Sequence, residues 1–556
     1  MDRDRGLLSA MWFRLSIVGL VIIVLAVGAG VWAFSSDPLS LPPVMGVRAA
    51  VNLTSVPSHE LLLAPPTPAC VAPANAPNPI VAENACPGTD SWGQTFPLGP
   101  ANAINAFAAP ASVNRGDVVR LYASTTAHSY TFSVYRVGWY QGRGARLLYT
   151  SPNVQGINQP APTVDPVTRA ASCANWRDPV SLQIPTSWVS GVYIVKFTTS
   201  DNFMRYTLFV VRDDASRAPV LFQLALATYQ AYNLYGGRSL YILQTGSNVF
   251  DTAGRSYAVS FDRPYGSESG NSNGLGNLPQ IEGPLIRFLE RTGYDMTYMA
   301  DVDLVLHPQP LTQHKLLIIG GHDEYWSAGM RGAVTQARDK GVSLAFFAAN
   351  NVYWQTRMAA SPLGPDRVVI CYKSASIDPF LHSHPSEVTV NWRSQPVSQP
   401  ENNLVGQWYF CIPTQREPLV LTHGAEPYLA GTRLRPGDEL SNMVYGEVDA
   451  YVENGAQPSN VTILAASPVI CRENKLLKTS NATIYKAPSG AMVFDAGTFN
   501  WYVGLNTPWP VDATTAAHAP VTTNEFILKG DVGRFTNNIL SAMIAASSHT
   551  HATAAP

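Results

Sequence analysis

The sequence predicts a multidomain α+β protein in which a β-sandwich precedes an α/β domain, and three observations lead to this prediction. The chain has 556 residues, more than one hydrophobic core usually organises. Charged residues make up only 14% of it, while 41 Gly and 43 Pro favour β structure and ordered loops over helical bundles. Short alternating strands also give way, after Arg217, to a regular succession of strands and helices.

The N-terminus predicts a membrane segment. Leu15–Phe34 is an uncharged apolar run of about the length that crosses a bilayer as a helix. Arg3, Arg5 and Arg14 precede it, so the positive-inside rule makes residues 1–14 a cytoplasmic tail. The alternative is a cleaved signal peptide and a secreted protein. In both cases we expect the body of the chain outside the cytoplasm.

The next two segments differ in composition. Residues 35–85 are rich in Pro and Ala with little periodicity, which predicts a linker. Residues 86–215 contain short strands such as VVRLYAS, YTFSVYRVGWY and GVYIVKFTT, split by turns. This spacing predicts an antiparallel β-sandwich of immunoglobulin-like type.

Residues 216–387 alternate between strands and helices. The strands are VLFQLALATY, HKLLIIGG and VSLAFFAA, and the helices are GPLIRFLERTG and AGMRGAVTQARDKG. This order predicts a parallel sheet in an α/β domain, of class I glutamine-amidotransferase-like or flavodoxin-like type. Residues 388–545 predict a β-rich extension that completes this domain, with final strands SGAMVFDAG and FNWYVGL, and residues 546–556 a frayed tail.

Six cysteines are present, and none forms a CxxC pair. In an exported chain this even number predicts up to three disulfides rather than a zinc site. Cys70–Cys86 would close a short loop, and Cys371–Cys411 is a second candidate bridge. The sequence leaves the pairing open.

Ligands bind beyond the carboxyl ends of strands in an open parallel sheet. Three strands deliver Thr228–Gly237, His322–Trp326 and Asn350–Arg357 to that edge, and all three segments are rich in polar and aromatic residues. Simpler interpretations exist, since Asp323 or Ser327 could only cap the following helix. Taken together, the three segments predict a functional site.

Several kinds of site are excluded by missing patterns. A net charge of −2 gives no basic footprint for nucleic acid. The sequence has no G-x-S-x-G nucleophile elbow, no cysteine at the strand-end turn and no H-E-x-x-H zinc motif. Carboxylates and phenols remain, and their hard oxygen atoms suit a highly charged cation that acts as a Lewis acid.

Motifs along most of the chain point to a known family. They are RVGWYQGRGARLL, TYQAYNLYGGRSLY, GHDEYWS, NNVYWQTR, PENNLVGQ, LAGTRLRPGDELSNMVYGEVD and GAMVFDAGTFNWYVGL. In this order, over residues 90–545, the chain resembles the large (β) subunit of N,N-dimethylformamidase, particularly its C-terminal catalytic region. As a set, these motifs are specific for the superfamily, but they are much less specific for a substrate.

The resemblance implies a mononuclear, non-redox ferric iron held by two tyrosines and a glutamate, and hydrolysis of a small amide. Tyr325 matches one phenolate ligand and Glu401 the carboxylate. Tyr298 is the prediction for the second tyrosine, with Tyr229 and Tyr232 as alternatives.

The residues around these ligands complete the predicted site. His322 and Glu324 are candidates for the general base, and Asn350 and Asn351 for oxyanion donors. The chain gives no sign of the family's small partner subunit.

The leading hypothesis is therefore a membrane-anchored, extracytoplasmic, iron-dependent hydrolase of an amide C–N bond. The main alternative is a non-catalytic surface protein that binds glycans or proteins through Trp139, Tyr140, Trp326 and Trp354. A third hypothesis is polysaccharide cleavage by Glu324 and Glu401 without a metal.

Overall fold

A computed structural model describes residues 61–66, 70, 73–93, 96–246, 249–266, 274–508 and 524–547. All of these residues belong to one structural unit. Within these ranges no helix is both long and apolar enough to span a membrane. The predicted cytoplasmic tail, the predicted membrane helix Leu15–Phe34 and most of the predicted C-terminal tail lie outside the described residues.

The N-terminal part contains two larger sheets packed around one core and a separate two-stranded sheet. Its strands and one helix are β1 (Leu61–Leu63), α1 (Pro79–Asn84), β2 (Asn105–Ala109), β3 (Ser112–Asn114), β4 (Val118–Ser124), β5 (Ser129–Val137), β6 (Ala145–Thr150), β7 (Val154–Gln155), β8 (Thr163–Val164), β9 (Ala171–Ser172), β10 (Val180–Gln183), β11 (Gly191–Thr199) and β12 (Met204–Arg212). One sheet has the order β1-β10-β4-β2, and the other β3-β12-β11-β5-β6 with β7 beside β5.

The second of these sheets is buried on both faces. Phe197 and Phe209 face the core between the two sheets. Ile194 and Leu208, on the opposite faces of the same strands, pack into the core of the following domain. The sandwich is therefore continuous with that domain and shares its hydrophobic core.

The central part of the chain forms most of an α/β layer. Its elements are β13 (Val220–Leu224), α2 (Leu226–Tyr232), β14 (Leu243–Gly246), β15 (Val249–Asp251), β16 (Ala258–Ser260), α3 (Glu282–Thr292), β17 (Met296–Ala300), α4 (Asp303–Leu306), β18 (Leu316–Ile319), β19 (Tyr325–Ser327), α5 (Ala328–Asp339), β20 (Ser343–Phe346), β21 (Trp354–Ser361) and β22 (Gly364–Ile370).

The C-terminal part is rich in strands and closes with a helix. Its elements are α6 (Asn402–Val405), β23 (Trp408–Cys411), β24 (Glu417–Val420), β25 (Glu439–Val444), β26 (Val448–Ala450), β27 (Thr462–Ile470), β28 (Leu477–Lys486), β29 (Met492–Asp495), α7 (Glu525–Leu528) and α8 (Asp531–Ala546).

A seven-stranded sheet joins the last two parts, in the order β17-β13-β18-β20-β29-β28-β27. The first five strands run parallel to one another. The β28 strand is antiparallel to β29, and β27 is antiparallel to β28. The β13, β18 and β20 strands are buried at every position, as expected for a parallel sheet covered on both faces. The predicted parallel sheet is thus present, and the chain is a mixed α+β protein.

Four boundaries differ from the sequence prediction. Part of the predicted linker is ordered, because β1 pairs with β10 and α1 buries Ile80. The run VLFQLALATY leaves the strand conformation at Leu224 and continues as α2. FNWYVGL is a 3-10 helix, since the Thr498 hydroxyl caps it by accepting from Asn500 N–H. Finally, the predicted β-rich extension ends in α8, whose apolar face includes Phe535 and packs into the core.

The structure contains two disulfides. Cys70–Cys86 is present as predicted, and the second bridge joins Cys411 to Cys471. The predicted Cys371–Cys411 bridge is wrong, because Cys411 on β23 is already bonded to Cys471 at the end of β27. Cys371 and Cys173 are buried free thiols.

Candidate functional site

Three segments meet at the carboxyl edge of the parallel sheet. The backbone N–H of Glu324, beyond β18, donates to the Thr228 hydroxyl in α2 at 3.0 Å. His322 Nδ1 lies 3.0 Å from the carbonyl oxygen of Ala349, beyond β20. The N–H of Val352 donates to the Asp323 carbonyl at 2.8 Å. The sequence therefore correctly placed these segments beside one another.

Glu324 is the centre of the site. Its carboxylate accepts hydrogen bonds from the hydroxyls of Tyr232 at 2.8 Å and Tyr241 at 2.9 Å. The indole N–H of Trp354 donates to the same carboxylate at 2.9 Å. Glu324 is thus buried yet fully hydrogen-bonded, which is how a buried carboxylate is tolerated.

Two tyrosines and Glu324 form a closed triangle of oxygen atoms. The hydroxyls of Tyr232 and Tyr241 lie 2.9 Å apart, and their rings stack with centroids 4.6 Å apart. Neighbouring oxygen ligands around an octahedral cation with bonds of about 2.0–2.1 Å are about 2.9 Å apart. The oxygen atoms of Tyr232, Tyr241 and Glu324 therefore fit a small, highly charged cation.

Tyr325 lies just outside this triangle. Its hydroxyl donates to the Tyr241 hydroxyl at 2.6 Å. It forms no hydrogen bond to Glu324 within the described part of the chain. Tyr325, the phenolate ligand expected from the resemblance, therefore contacts a triangle oxygen but is not one of the three.

His322 and Glu447 flank the Glu324 carboxylate. His322 Nε2 lies 3.3 Å from Glu324 Oε2 and 3.6 Å from Glu447 Oε2. The side-chain amide of Asn350 donates to Glu447 Oε2 at 2.6 Å. The Glu447 side chain is 17% exposed, against 3% for Glu324. Glu447 therefore lies on the more open side of the site.

The loop that carries Asn350 and Asn351 has a strained backbone. Asn350 and Val352 both have φ of 55°, in the left-handed region that a β-branched valine rarely adopts. Asn351 accepts the N–H of Asp323 through its side-chain oxygen, at 3.1 Å. Among the described residues, the buried Asn351 Nδ2 and Asn350 Oδ1 have no hydrogen-bond partner. Strain of this kind is concentrated at functional sites.

Lys373 brings a positive charge to the site. Its ammonium lies 3.2 Å from the ring centroid of Tyr241, 4.9 Å from that of Trp354 and 5.2 Å from that of Tyr325. The residue is partly exposed, but Nζ itself is buried and finds no hydrogen-bond acceptor in the described ranges. Burial lowers the pKa of Lys373 to about 8.

The carboxylates and His322 shift one another's protonation. Burial opposes the imidazolium, but Glu447 and Glu324 outweigh it and raise the pKa of His322 to about 9. Burial also acts against the charged form of Glu324, yet His322 and Lys373 leave its pKa below the usual value. Burial and the nearby Glu324 raise the pKa of Glu447 to about 7. Three neighbouring groups therefore differ in their readiness to give up a proton.

The tyrosines respond in the opposite direction. Burial, followed by the negative charge of Glu324, raises the pKa of Tyr232, Tyr241 and Tyr325 well above the usual value. They are neutral phenols in the protein alone. A strongly charged cation would reverse this preference, because its own charge dominates the local electrostatics.

Two predicted ligands belong to other clusters. The hydroxyl of Tyr298 donates to Glu290 at 2.6 Å, at the contact with the sandwich, because β17 is the edge strand beside that layer. The Glu401 carboxylate forms an ion pair with Arg393, and α6 follows it directly. The prediction that Tyr298 and Glu401 join Tyr325 in one site is therefore corrected.

Tyr229 is excluded from the site as well. It is buried in the first turns of α2, where its ring packs edge-on against Tyr265. Within the described residues, neither Glu324 nor Tyr325 bonds to its hydroxyl. Of the two alternatives for the second tyrosine, the structure favours Tyr232.

The surface proposed for ligand binding in the non-catalytic hypothesis is not formed. Tyr140 and Trp326 are completely buried. Trp139 is covered by Arg287 and Arg291, whose guanidinium groups lie 5.0 and 5.3 Å from its ring. Trp354, the fourth residue of that set, hydrogen-bonds to Glu324.

Tyr241, Glu447 and Lys373 were missed from the sequence. Tyr241 and Glu447 lie in the motifs RSLY and YGEVD, but neither follows a parallel strand. Lys373 follows β22, an antiparallel strand outside the main sheet. A search at the carboxyl ends of parallel strands therefore could not find these three residues. For Tyr241 and Glu447, the motifs were the available signal.

Another group of candidate ligand atoms occurs away from this edge. Cys411, Cys471 and Glu473 come together there, but both sulfur atoms are bonded to each other in the disulfide. That group is consequently unsuited to a metal.

Comparisons with known proteins identify a family. No curated protein matches the chain. A solved Paenibacillus sp. cycloisomaltooligosaccharide glucanotransferase, complexed with cycloisomaltoheptaose, shares 10% sequence identity over 68% of each chain with a TM-score of 0.16. A likeness this low carries no argument. The family model described as "N,N-dimethylformamidase beta subunit-like, C-terminal" matches residues 131–516, most of the chain and the whole cluster around Glu324. The chain therefore belongs to the N,N-dimethylformamidase beta subunit-like family.

Proposed function

We propose that the protein is a membrane-anchored, extracytoplasmic hydrolase of an amide C–N bond that depends on a mononuclear ferric ion. Membership of the family indicates a dimethylformamidase-like hydrolase at the family level. The observation that carries the proposal is the triangle of oxygen atoms from Tyr232, Tyr241 and Glu324, with sides of 2.8 to 2.9 Å.

Tyr232, Tyr241 and Glu324 would hold the ion. When bound, it would supply Lewis acidity towards a carbonyl oxygen and towards water. Two neighbouring side chains hydrogen-bond to these residues: Tyr325 donates to Tyr241, and Trp354 donates to Glu324. Such outer contacts orient metal ligands, and losing one typically lowers metal affinity or activity by about 10–100-fold.

His322 and Glu447 would move the protons. Hydrolysis adds water across the amide, so a proton must leave the attacking water and another must reach the departing nitrogen. Glu447, with its pKa raised to about 7, is suited to accept the first and release it again near neutral pH. His322 Nε2 lies within 3.6 Å of Oε2 of both Glu324 and Glu447, so a protonated His322 would stabilise the charge on either carboxylate.

Asn351 and Asn350 would bind the substrate. The Asn351 side-chain N–H is an unused donor, as an oxyanion forming at the carbonyl requires. The Asn350 side-chain oxygen is an unused acceptor and could receive an N–H of the departing amine. The proposed role of Asn351 is the oxyanion donor expected from the sequence, whereas Asn350 would act as an acceptor, because its side-chain amide donates to Glu447.

The finer fold assignment is also a proposal. Numbered by chain position, the five parallel strands lie in the order 2-1-3-4-5, which supports a flavodoxin-like domain. The two sheets around one core support the immunoglobulin-like sandwich. The apolar run Leu15–Phe34 and its preceding arginines support the anchor, with secretion after signal cleavage as the alternative.

Elemental analysis of the purified protein tests the proposal. We expect about one iron per chain, and release of amine and acid from a simple probe amide, N,N-dimethylformamide. Glu324→Gln should lose both iron and activity, because a neutral amide is a poor ligand for a hard cation. Glu401→Gln is the matched control, since Glu401 pairs with Arg393, and it should keep its iron. A folded wild-type protein without iron would overturn the proposal in favour of a non-catalytic binding protein.

A further inference from the structure

Two buried aspartates lie behind the Asn350 loop and are not used by the proposed reaction. Asp495 ends the fifth parallel strand, β29, and Asp449 lies in the middle of β26. Both are 0–1% exposed. Their carboxyl groups lie within hydrogen-bonding distance of each other. Asp495 therefore lies at the same edge of the parallel sheet as the site, and Asp449 lies beside the Asn350 loop.

Backbone contacts fix the two aspartates relative to each other. The N–H of Asp449 donates to the Gly497 carbonyl at 3.0 Å, and the N–H of Gly497 donates to Asp495 Oδ1 at 3.2 Å. Gly497 has φ of 62°, and a Cβ there would lie 1.9 Å from the Asn481 carbonyl oxygen. Only glycine allows this close approach, so the two carboxyl groups are held together by the main chain.

The surroundings do not permit two negative charges. The charged groups that act on Asp449 are Asp495, Glu401 and Glu447, all of them acidic. Among the described residues, Asp495 Oδ2 is buried without a hydrogen-bond donor, and the side chains that act on the Asp495 carboxyl are Gln407 and Asp449. Two carboxylates in contact at a buried position share one proton, since like charges cannot both persist there.

This pair is connected directly to the site. Asp449 Oδ1 accepts the backbone N–H of Asn350 at 2.9 Å, in the strained left-handed conformation of that residue. The side chain of Asn350 then donates to Glu447, two residues before Asp449 on the same segment. Asp449 and Glu447 thus hold the backbone and the side chain of one asparagine.

We propose that Asp449 and Asp495 form a carboxylic acid–carboxylate pair that shares one proton, and that Asp449 is a positioning residue for Asn350 and Glu447. The shared proton leaves the pair with a single negative charge, and Asp449 Oδ1 accepts the Asn350 N–H in either arrangement. Burial, which raises the pKa of Asp495 to about 7, agrees with this arrangement. The positioning role rests on the proposed function, whereas the shared proton does not.

Infrared spectroscopy tests the shared proton. Protein labelled with ¹³C-aspartate should show a protonated carboxyl band at neutral pH, and the wild-type minus Asp495→Asn difference spectrum should contain it. The new amide donates to Asp449 in place of the shared proton, so the Asp495→Asn protein should fold normally. Other buried acids contribute equally to both spectra and cancel. A difference spectrum that contains only a carboxylate band would overturn the proposal.

The positioning role has its own test. In a crystal structure of Asp449→Ala, Asn350 should leave the left-handed conformation and lose its hydrogen bond to Glu447. If the Asp449→Ala protein does not fold, Asp449→Ser serves, because its hydroxyl is too short to reach the Asn350 N–H. An unchanged Asn350 in either structure would refute the role whether or not the protein hydrolyses amides.

Kinetics adds a readout that general destabilisation would not reproduce. Displacement of Asn350 and Glu447 should lower kcat by about 10²-fold with little change in KM. Asp449→Asn should restore most of the activity, since its side-chain oxygen still accepts the Asn350 N–H and its amide donates to Asp495. Equal losses in Asp449→Ala and Asp449→Asn would contradict the assignment.

Discussion

Arg136 of the sandwich and Glu290 of α3 form an ion pair with a separation of 2.7 Å, and both side chains are completely buried. Glu290 also accepts hydrogen bonds from Tyr298 and from Asn84 of α1. Arg136 donates further to the Ser190 carbonyl. The sandwich and the α/β layer are therefore joined by a charged contact in which nearly every donor and acceptor is paired.

We predict that Glu290→Ala strongly destabilises the protein, by about 3–5 kcal/mol, because it leaves the guanidinium of Arg136 buried without its partner. Urea denaturation followed by circular dichroism measures this change. The exposed pair Arg433–Glu525 provides the control, as its side chains are 41% and 67% exposed. Glu525→Ala should change the stability far less, because water screens an exposed ion pair. Similar losses in both variants would show that burial does not set the strength of the Arg136 contact.

Glu282, at the start of α3, predicts a pH dependence of stability. Burial is the main cause that raises its pKa from 4.5 to about 7 in the folded protein. The folded state is therefore penalised once the unfolded carboxyl ionises. The penalty is absent below pH 4.5, grows as the pH rises, and is complete above pH 7.

The size of this effect should be about 3 kcal/mol. Glu282→Gln removes the ionisation, so its stability relative to the wild type should rise by about that amount between pH 4.5 and pH 7. Chemical denaturation of both proteins at several pH values measures the difference, in which the other titrating groups cancel. A difference that stays constant with pH would mean that folding does not shift the pKa of Glu282.

Tyr241 and Tyr325 give a matched pair of substitutions. If Tyr232, Tyr241 and Glu324 hold ferric iron, Tyr241→Phe should lose most of the iron and of the tyrosinate-to-iron colour. Tyr325→Phe removes only the hydrogen bond to Tyr241, so it should keep the iron and shift the absorption band. Iron content, absorbance and melting temperature on both variants decide this. Loss of iron in Tyr325→Phe alone would return Tyr325 to the ligand set expected from the sequence.

The cysteines predict a fixed pattern of alkylation. Mass spectrometry of exported protein should find Cys70–Cys86 and Cys411–Cys471 oxidised, and Cys173 and Cys371 as thiols that react only after unfolding. Burial raises the pKa of both free thiols to about 12, which keeps them unreactive. Six reactive thiols in the native protein would argue against an extracytoplasmic location.

The sequence predicted the elements that local pattern determines. The apolar runs before Gly320 and Phe347 could only be buried parallel strands, and this placed His322, Glu324 and Asn350 at one edge. Tyr241 and Glu447 reach Glu324 through loops and antiparallel strands, whose paths depend on packing between distant segments. The periodicity of apolar residues in the sequence does not predict the paths of these loops.

Tyr298 shows the opposite error. Its position near the end of a parallel strand agreed with the rule for site residues, but β17 is the edge strand and its side chain meets the sandwich. Which strand lies at the edge is decided by the order of strands in space, and the chain order β13, β17, β18 does not reveal it.

The short helix α1 has a consequence for how much of the chain folds independently. Asn84 accepts the N–H groups of Trp139 and Tyr140, and Glu83 pairs with Arg146. Both of these α1 residues lie upstream of residue 131, where the family match begins. A fragment cut at that boundary would start inside β5, lose β2 and β4, and expose the apolar face of the sandwich. The folded unit therefore includes β1 and α1, which lie well outside the limits that similarity alone would suggest.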